Sequence, residues 1–253
     1  MKTIGLAILG IIALAGCGRP AYDLSTPEAA IDSAQQMVKD GNADLLVSLI
    51  HLPPREVTFE DGVTEASAIE DVKGKLAELF ARLWTIGTLL NEQFPDEVLE
   101  EADVVVAMSG DQGQMLDMLG SVLASPFAFI DEHRDRIETL DLGDGTAAVL
   151  YDGEPGFGGL LAMEEIEGSW KVVVPTQFVH DSEYWPQTRW EWAVIASMLL
   201  SVENGLEDFE QEVQAGSFRS LSHASERAGR FIGESVIVQG IIYASMKRDT
   251  DDG

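Results

Sequence analysis

This chain of 253 residues holds a single cysteine, Cys17. No disulfide can form within it, so its stability must come from an ordinary apolar core. Positive charge is scarce: 16 Lys and Arg stand against 44 Asp and Glu, a formal net charge of −28 at pH 7. Such a field repels phosphates and anionic headgroups, which disfavours nucleic acid and direct docking on an anionic lipid surface. The functional reading of this acidity is a preference for cations or basic partners; the plain reading is a salt-tolerant, soluble surface. Long apolar runs are missing too. The run at residues 4–14 falls short of the roughly 20 residues that a membrane-crossing helix needs. Several chemical signatures are absent as well. The four histidines, His51, His133, His180 and His223, form no His-Glu-x-x-His pair, and the sequence has neither a Gly-x-Ser-x-Gly elbow nor a phosphate-binding Gly-Lys-Ser/Thr loop.

What is present begins at the amino terminus. Lys2, the short apolar run and the small residues Ala15 and Gly16 have the layout of a secretory signal, residues 1–16, cut before Cys17. Leu14-Ala15-Gly16-Cys17 resembles the lipobox of bacterial lipoproteins. That resemblance implies a lipid attachment site at Cys17, acylated (palmitate among the chains) once the signal is removed. It also implies a protein held at a bacterial membrane in the cell envelope. Several acyl chains give firm anchorage where one is marginal. Gly18 and Arg19 come next, with no Asp in second place, and by similarity to enteric sorting this implies the periplasmic face of the outer membrane in a Gram-negative host.

Residues 17–25 read as a lipidated tether. Thr26 caps a first helix, Pro27 takes its first position and Glu28 favours its first turn; Ala30, Ile31, Ala34, Met37 and Val38 form the stripe that Gly41 ends. A short helix is expected over 43–50, stopped by Pro53-Pro54, and a weak strand over 55–60. The longest helix is predicted over 65–91, with Ile69, Val72, Leu76, Leu79, Phe80, Leu83, Trp84 and Leu90 on one face. Another is predicted over 112–124. From Arg136 the period changes to alternation, giving two hairpins over 136–151 and 158–174. Thr188 and Glu191 have capping-box spacing and open a helix to about residue 215. Gly216 breaks it, Ser217 caps the next helix, and Gly233 and Gly240 weaken any helix beyond. The expected class is α+β. An antiparallel β-meander packs with helices in a domain over 26–186, with a helical insertion at about 62–132. A C-terminal helical hairpin over 187–246 packs on the same domain, and 247–253 is a polar tail.

Thr26-Pro27-Glu28-Ala29-Ala30-Ile31 with Lys39-Asp40-Gly41-Asn42-Ala43-Asp44-Leu45 resembles the opening helix pair of the nuclear transport factor-like cone fold found in envelope lipoproteins. The hairpin ending Glu167-Gly168-Ser169-Trp170-Lys171-Val172-Val173 is similar to its closing strands. The resemblance implies a curved sheet around a long helix, with an apolar pocket. It carries no catalytic residue over, because no position here matches one.

The densest aromatic cluster is Phe178, His180, Asp181, Tyr184, Trp185, Trp190 and Trp192. Either it lines a ligand pocket, with His180, Tyr184 and Trp185 as candidate binding residues, or it plugs the junction between sheet and C-terminal helices. Asp141-Leu142-Gly143-Asp144-Gly145 and Asp249-Thr250-Asp251-Asp252-Gly253 lack the ligands of a calcium loop, and the glycine-rich 153–159 stretch reads as a plain loop. The basic face Arg219, His223, Arg227 and Arg230 is expected to meet the preceding acids, Glu212 against Arg219 and Glu203 against Arg227. No metal, cofactor or catalytic residue is assigned. The functional expectation is a lipid-anchored envelope protein that binds a partner protein or small ligand without catalysis. The alternative is a cone-fold enzyme (isomerase, dehydratase or hydrolase-like), with His180 or Asp181 as its acid–base group.

Overall fold

The computed structural model describes residues 21–95, 97, 125–156, 161–173 and 185–251. Helix α1, Pro27–Lys39, starts as its sequence dictates: the Thr26 hydroxyl accepts from the Ala29 N–H, and Pro27 gives up no needed donor. Gly41, at φ 74°, then turns the chain into the 3-10 segment Ala43–Leu49 and the two-residue strand β1, Ile50–His51. Residues 55–60 form no strand. Thr58 bridges Thr64 alone across a tight turn, because Gly62 at φ 85° reverses the chain at once. Thr64 then caps α2, Glu65–Gln93. The short helix α3, Ala128–Glu132, and a 3-10 turn, Arg134–Arg136, lead into the sheet. The helix expected over 112–124 lies outside the described residues.

The meander is β2 (Ile137–Gly143), β3 (Thr146–Tyr151), β5 (Ala162–Ile166) and β6 (Ser169–Val173), each antiparallel to the next. A two-residue β4, Glu154–Pro155, pairs with β3, so part of the glycine-rich stretch is strand rather than loop. At the far edge β1 adds to β6 in parallel, which makes the sheet mixed, in the order β1-β6-β5-β3-β2. The Asp141–Gly145 stretch is the β2–β3 hairpin turn. There Asp144 and Gly145 adopt positive φ, and the Asp141 carboxylate accepts from the Gly143 N–H.

α1 lies on the sheet, where Ala30 meets Ala147, Val149, Met163 and Trp170. Beyond it α2, α4 (Arg189–Gln214) and α5 (Leu221–Asp251) share a second core of Ile86, Leu90, Leu206, Phe209 and Val213, all fully or almost fully buried. Each such side chain contributes about 1.5–3 kcal/mol of burial. The fold is thus α+β, with a strand meander, a helical insertion and a C-terminal helical pair. No helix among the described residues is long and apolar enough to cross a membrane.

The helical pair departs from expectation in three ways. Ser220 rather than Ser217 accepts from the first-turn N–H of α5, that of His223. Helix α5 passes through Gly233 and Gly240 and ends at Asp251, so residues 247–251, expected as a polar tail, continue the helix. The charge pairing is also shifted: Arg227 meets Glu212 at 2.6 Å, while Glu203 pairs with Arg82 of α2, also at 2.6 Å. Antiparallel packing of α4 on α5 sets that register, which sequence spacing alone does not contain.

Candidate functional site

The chemistry-bearing residues converge where the start of α2, the start of α4 and the end of α5 meet. Glu65 opens α2 and is fully buried. Arg55 grips it with its backbone N–H at 2.5 Å, Nε at 3.0 Å and a terminal nitrogen at 2.5 Å. Trp185 adds its indole N–H at 3.1 Å. Burial pushes the carboxyl's pKa up, but the donated hydrogen bonds and the guanidinium charge outweigh it and hold Glu65 below its ordinary value. Arg55 also donates to the Pro186 carbonyl at 2.9 Å and to the Gln187 side-chain oxygen, which fixes the chain entering α4.

Glu191 is the second buried acid, 1% exposed. The capping box forms with a shift: Thr188 accepts from the Glu191 N–H at 3.2 Å, but Glu191 reaches past Thr188 to the N–H of Gln187 at 2.6 Å. Lys247, from the last turns of α5, closes on Glu191 at 2.7 Å and donates to the Trp185 carbonyl at 2.5 Å. Tyr243, one turn earlier, is pushed up strongly by burial and then by the Glu191 charge. Each buried carboxylate therefore has its own cation. These groups weld three helices together, and neither of the two carboxylates is left without a cation.

Outside this welded floor opens a cleft of about 730 Å³ between the 57–61 turn and the first turn of α4. Phe59, Glu60, Asp61, Arg189 and Trp190 line it. Trp190 is 75% exposed, so its indole is open to an occupant of the cleft. Arg189 is engaged by Asp61 at 3.8 Å and Asp71 at 3.6 Å. Glu60 is exposed and has neither a hydrogen bond nor an ion pair among the described residues. A second hollow, about 170 Å³, beside Trp84 and Phe127 is far smaller.

The sequence cluster divides across this geometry. Trp185 is buried in a T-shaped stack on Trp192, with ring centroids 5.2 Å apart, over Ala68 and Ile69 of α2. It is therefore a plug, but between helices and not against the sheet, and its N–H is spent on Glu65. Trp192 is more deeply buried still, and its ring N–H has no acceptor among the described residues. Trp190 faces the cleft. His180, Tyr184, Phe178 and Asp181 lie outside the described residues, as does Cys17. Of the other histidines, His51 sits on β1, its pKa lowered by burial and by Lys171 and Lys73. His133 stacks edge-on to Tyr151, and His223 edge-on to Phe218. No group of three or more potential metal ligands occurs among the described residues.

Arg55, Glu60, Glu65 and Lys247 were not legible as site residues. Glu65 follows a capping threonine as many first-turn acids do, and its partner ten residues back belongs to no helical or strand spacing. No protein-family model, curated protein or solved structure matches the chain.

Proposed function

We propose that this is a lipid-anchored protein of the bacterial envelope, exported and held at a membrane through acyl chains on Cys17. Within that setting it works as a binding module without catalysis, taking a small ligand or partner in the cleft beside Trp190. The lipobox-like Leu14-Ala15-Gly16-Cys17 supports the anchor and, with it, a periplasmic-face location at the outer membrane if the host is Gram-negative. One observation carries the binding role: an open cleft of about 730 Å³ with an exposed indole, set on a rigid floor whose buried acids are both neutralised. A volume of that size lies in the range of small-molecule sites. A rigid floor keeps such a site formed before the ligand arrives. The locked carboxylates favour binding over acid–base chemistry, since a general base must be free to reach its substrate.

Two variants test the two halves. In its host the Cys17→Ser chain is expected to leave the membrane fraction that holds the parent; retention there contradicts the anchor. With purified full-length chain, a panel of small amphiphiles is expected to change the intrinsic fluorescence of the parent but not of Trp190→Phe. Equal changes in both, or none in either, count against the cleft.

A further inference from the structure

The cleft's charge balance points to a class of ligand. Resting on the reading that this cleft is the binding site, we propose that it takes a small organic ammonium with an apolar body, the cation seated between the Trp190 ring and the Glu60 carboxylate.

The lining carries one positive group, Arg189, and its charge is already answered twice, by Asp61 at 3.8 Å and Asp71 at 3.6 Å. Glu60, on the 57–61 turn that faces Arg189's helix, has no partner among the described residues, so the cleft keeps a surplus of negative charge. The net charge of −28 deepens that potential, drawing cations in and turning anions away. Aromatic faces attract cations through the ring quadrupole, indole most strongly, and two such rings, Trp190 and Phe59, line this cleft. The apolar parts of the same rings would cover an alkyl or aryl body.

An anion at the start of α4 is the competing occupant, since a helix N-terminus favours negative charge. Here the first turn already has a negative group of its own: Thr188 takes the Glu191 N–H, and the buried Glu191 carboxylate sits at the helix start, where it takes the Gln187 N–H. With Arg189 engaged as well, little is left to hold an anion.

The test is calorimetry on the full chain in nonionic detergent with four probes: phenethyltrimethylammonium, phenethyl alcohol, 3-phenylpropionate and Nα-acetyl-lysine methylamide. The aryl ammonium is expected to bind at least about twofold tighter than the alcohol, and 3-phenylpropionate is expected not to bind. Glu60→Gln and Trp190→Leu should each weaken the ammonium by about two- to fivefold, the size expected of an exposed cation–π or charge contact. Glu60→Gln should leave the alcohol unchanged. Both positions are exposed, so unfolding does not obscure the result, and circular dichroism verifies it. Alcohol binding as tight as the ammonium, or a Glu60→Gln variant that binds the ammonium like the parent, overturns the ligand class and leaves the cleft reading intact. Tighter binding of the lysine probe overturns it in favour of a partner protein's side chain. Binding of no probe overturns the cleft reading as well.

Discussion

Glu65 keeps its charge in a fully buried position because Arg55 reaches it with three nitrogens and Trp185 with one. Removing one member of such a pair leaves the other charge stranded, so Arg55→Ala is expected to cost about 2–4 kcal/mol by urea unfolding, somewhat less than a fully buried pair because Arg55 is partly exposed. The pair also sets a pH dependence. The folded-state pKa of Glu65 lies below its value of about 4.5 in an open chain. Its contribution is therefore complete above that value and is lost as pH falls through the depressed one. The stability gap between the parent and Glu65→Gln is expected to be wide at pH 7 and to close in the acid range. A gap independent of pH contradicts a charged Glu65. None of this pairing is legible from the local sequence. The Thr26 and Thr188 caps are, because a cap needs only neighbours within three residues, whereas Arg55 and Trp185 reach Glu65 across 10 and 120 positions.

At the scale of elements, the final helix teaches the most. Gly233 and Gly240 each weaken a helix by about 1 kcal/mol relative to Ala, which is why the helix was expected to weaken there. Tertiary contacts override that penalty. Lys247, near the far end of α5, is held by Glu191 and the Trp185 carbonyl. Lys247→Ala is therefore expected to destabilise the protein by about 2–4 kcal/mol and to speed amide exchange in the last two turns of α5. Unchanged exchange there contradicts the clasp. Glycine can also be a packing residue, as at Gly205 of α4, where an added Cβ would stand 3.2 Å from the Phe231 carbonyl oxygen of α5. Gly205→Ala is expected to lose about 1–3 kcal/mol despite its better helix propensity. Gly74→Ala in α2, where nothing stands within 4 Å, should gain up to about 1 kcal/mol. Thermal unfolding of both variants decides it, and stabilisation by both contradicts the close approach. The meander and the long amphipathic helices α2 and α4 were readable from period alone. The parallel edge strand β1 was not, since two residues carry no period.

At the scale of the whole molecule, two features complement each other. The charge of −28 disfavours direct docking on anionic lipid, which agrees with the proposal that acyl chains and not the protein surface hold the molecule at a membrane. The last residues of the segment expected as a tether are not loose but fixed to the fold: Leu24 packs against the core and its carbonyl accepts from the Trp170 N–H at 2.8 Å. An anchor at Cys17 would thus hold the globule by its sheet side. The site, by contrast, is built from the helical side, at the 57–61 turn and the start of α4. The α+β class was readable in the residues, while the cleft was readable only through Trp190, because its two walls lie more than a hundred positions apart. Whether the molecule lives on a membrane rests on one modification, and intact-mass analysis of protein recovered from the native bacterium tests it most directly. The expected species begins at Cys17 and is heavier than residues 17–253 by its acyl groups. A chain that still starts at Met1, with Cys17 bare, would contradict the account.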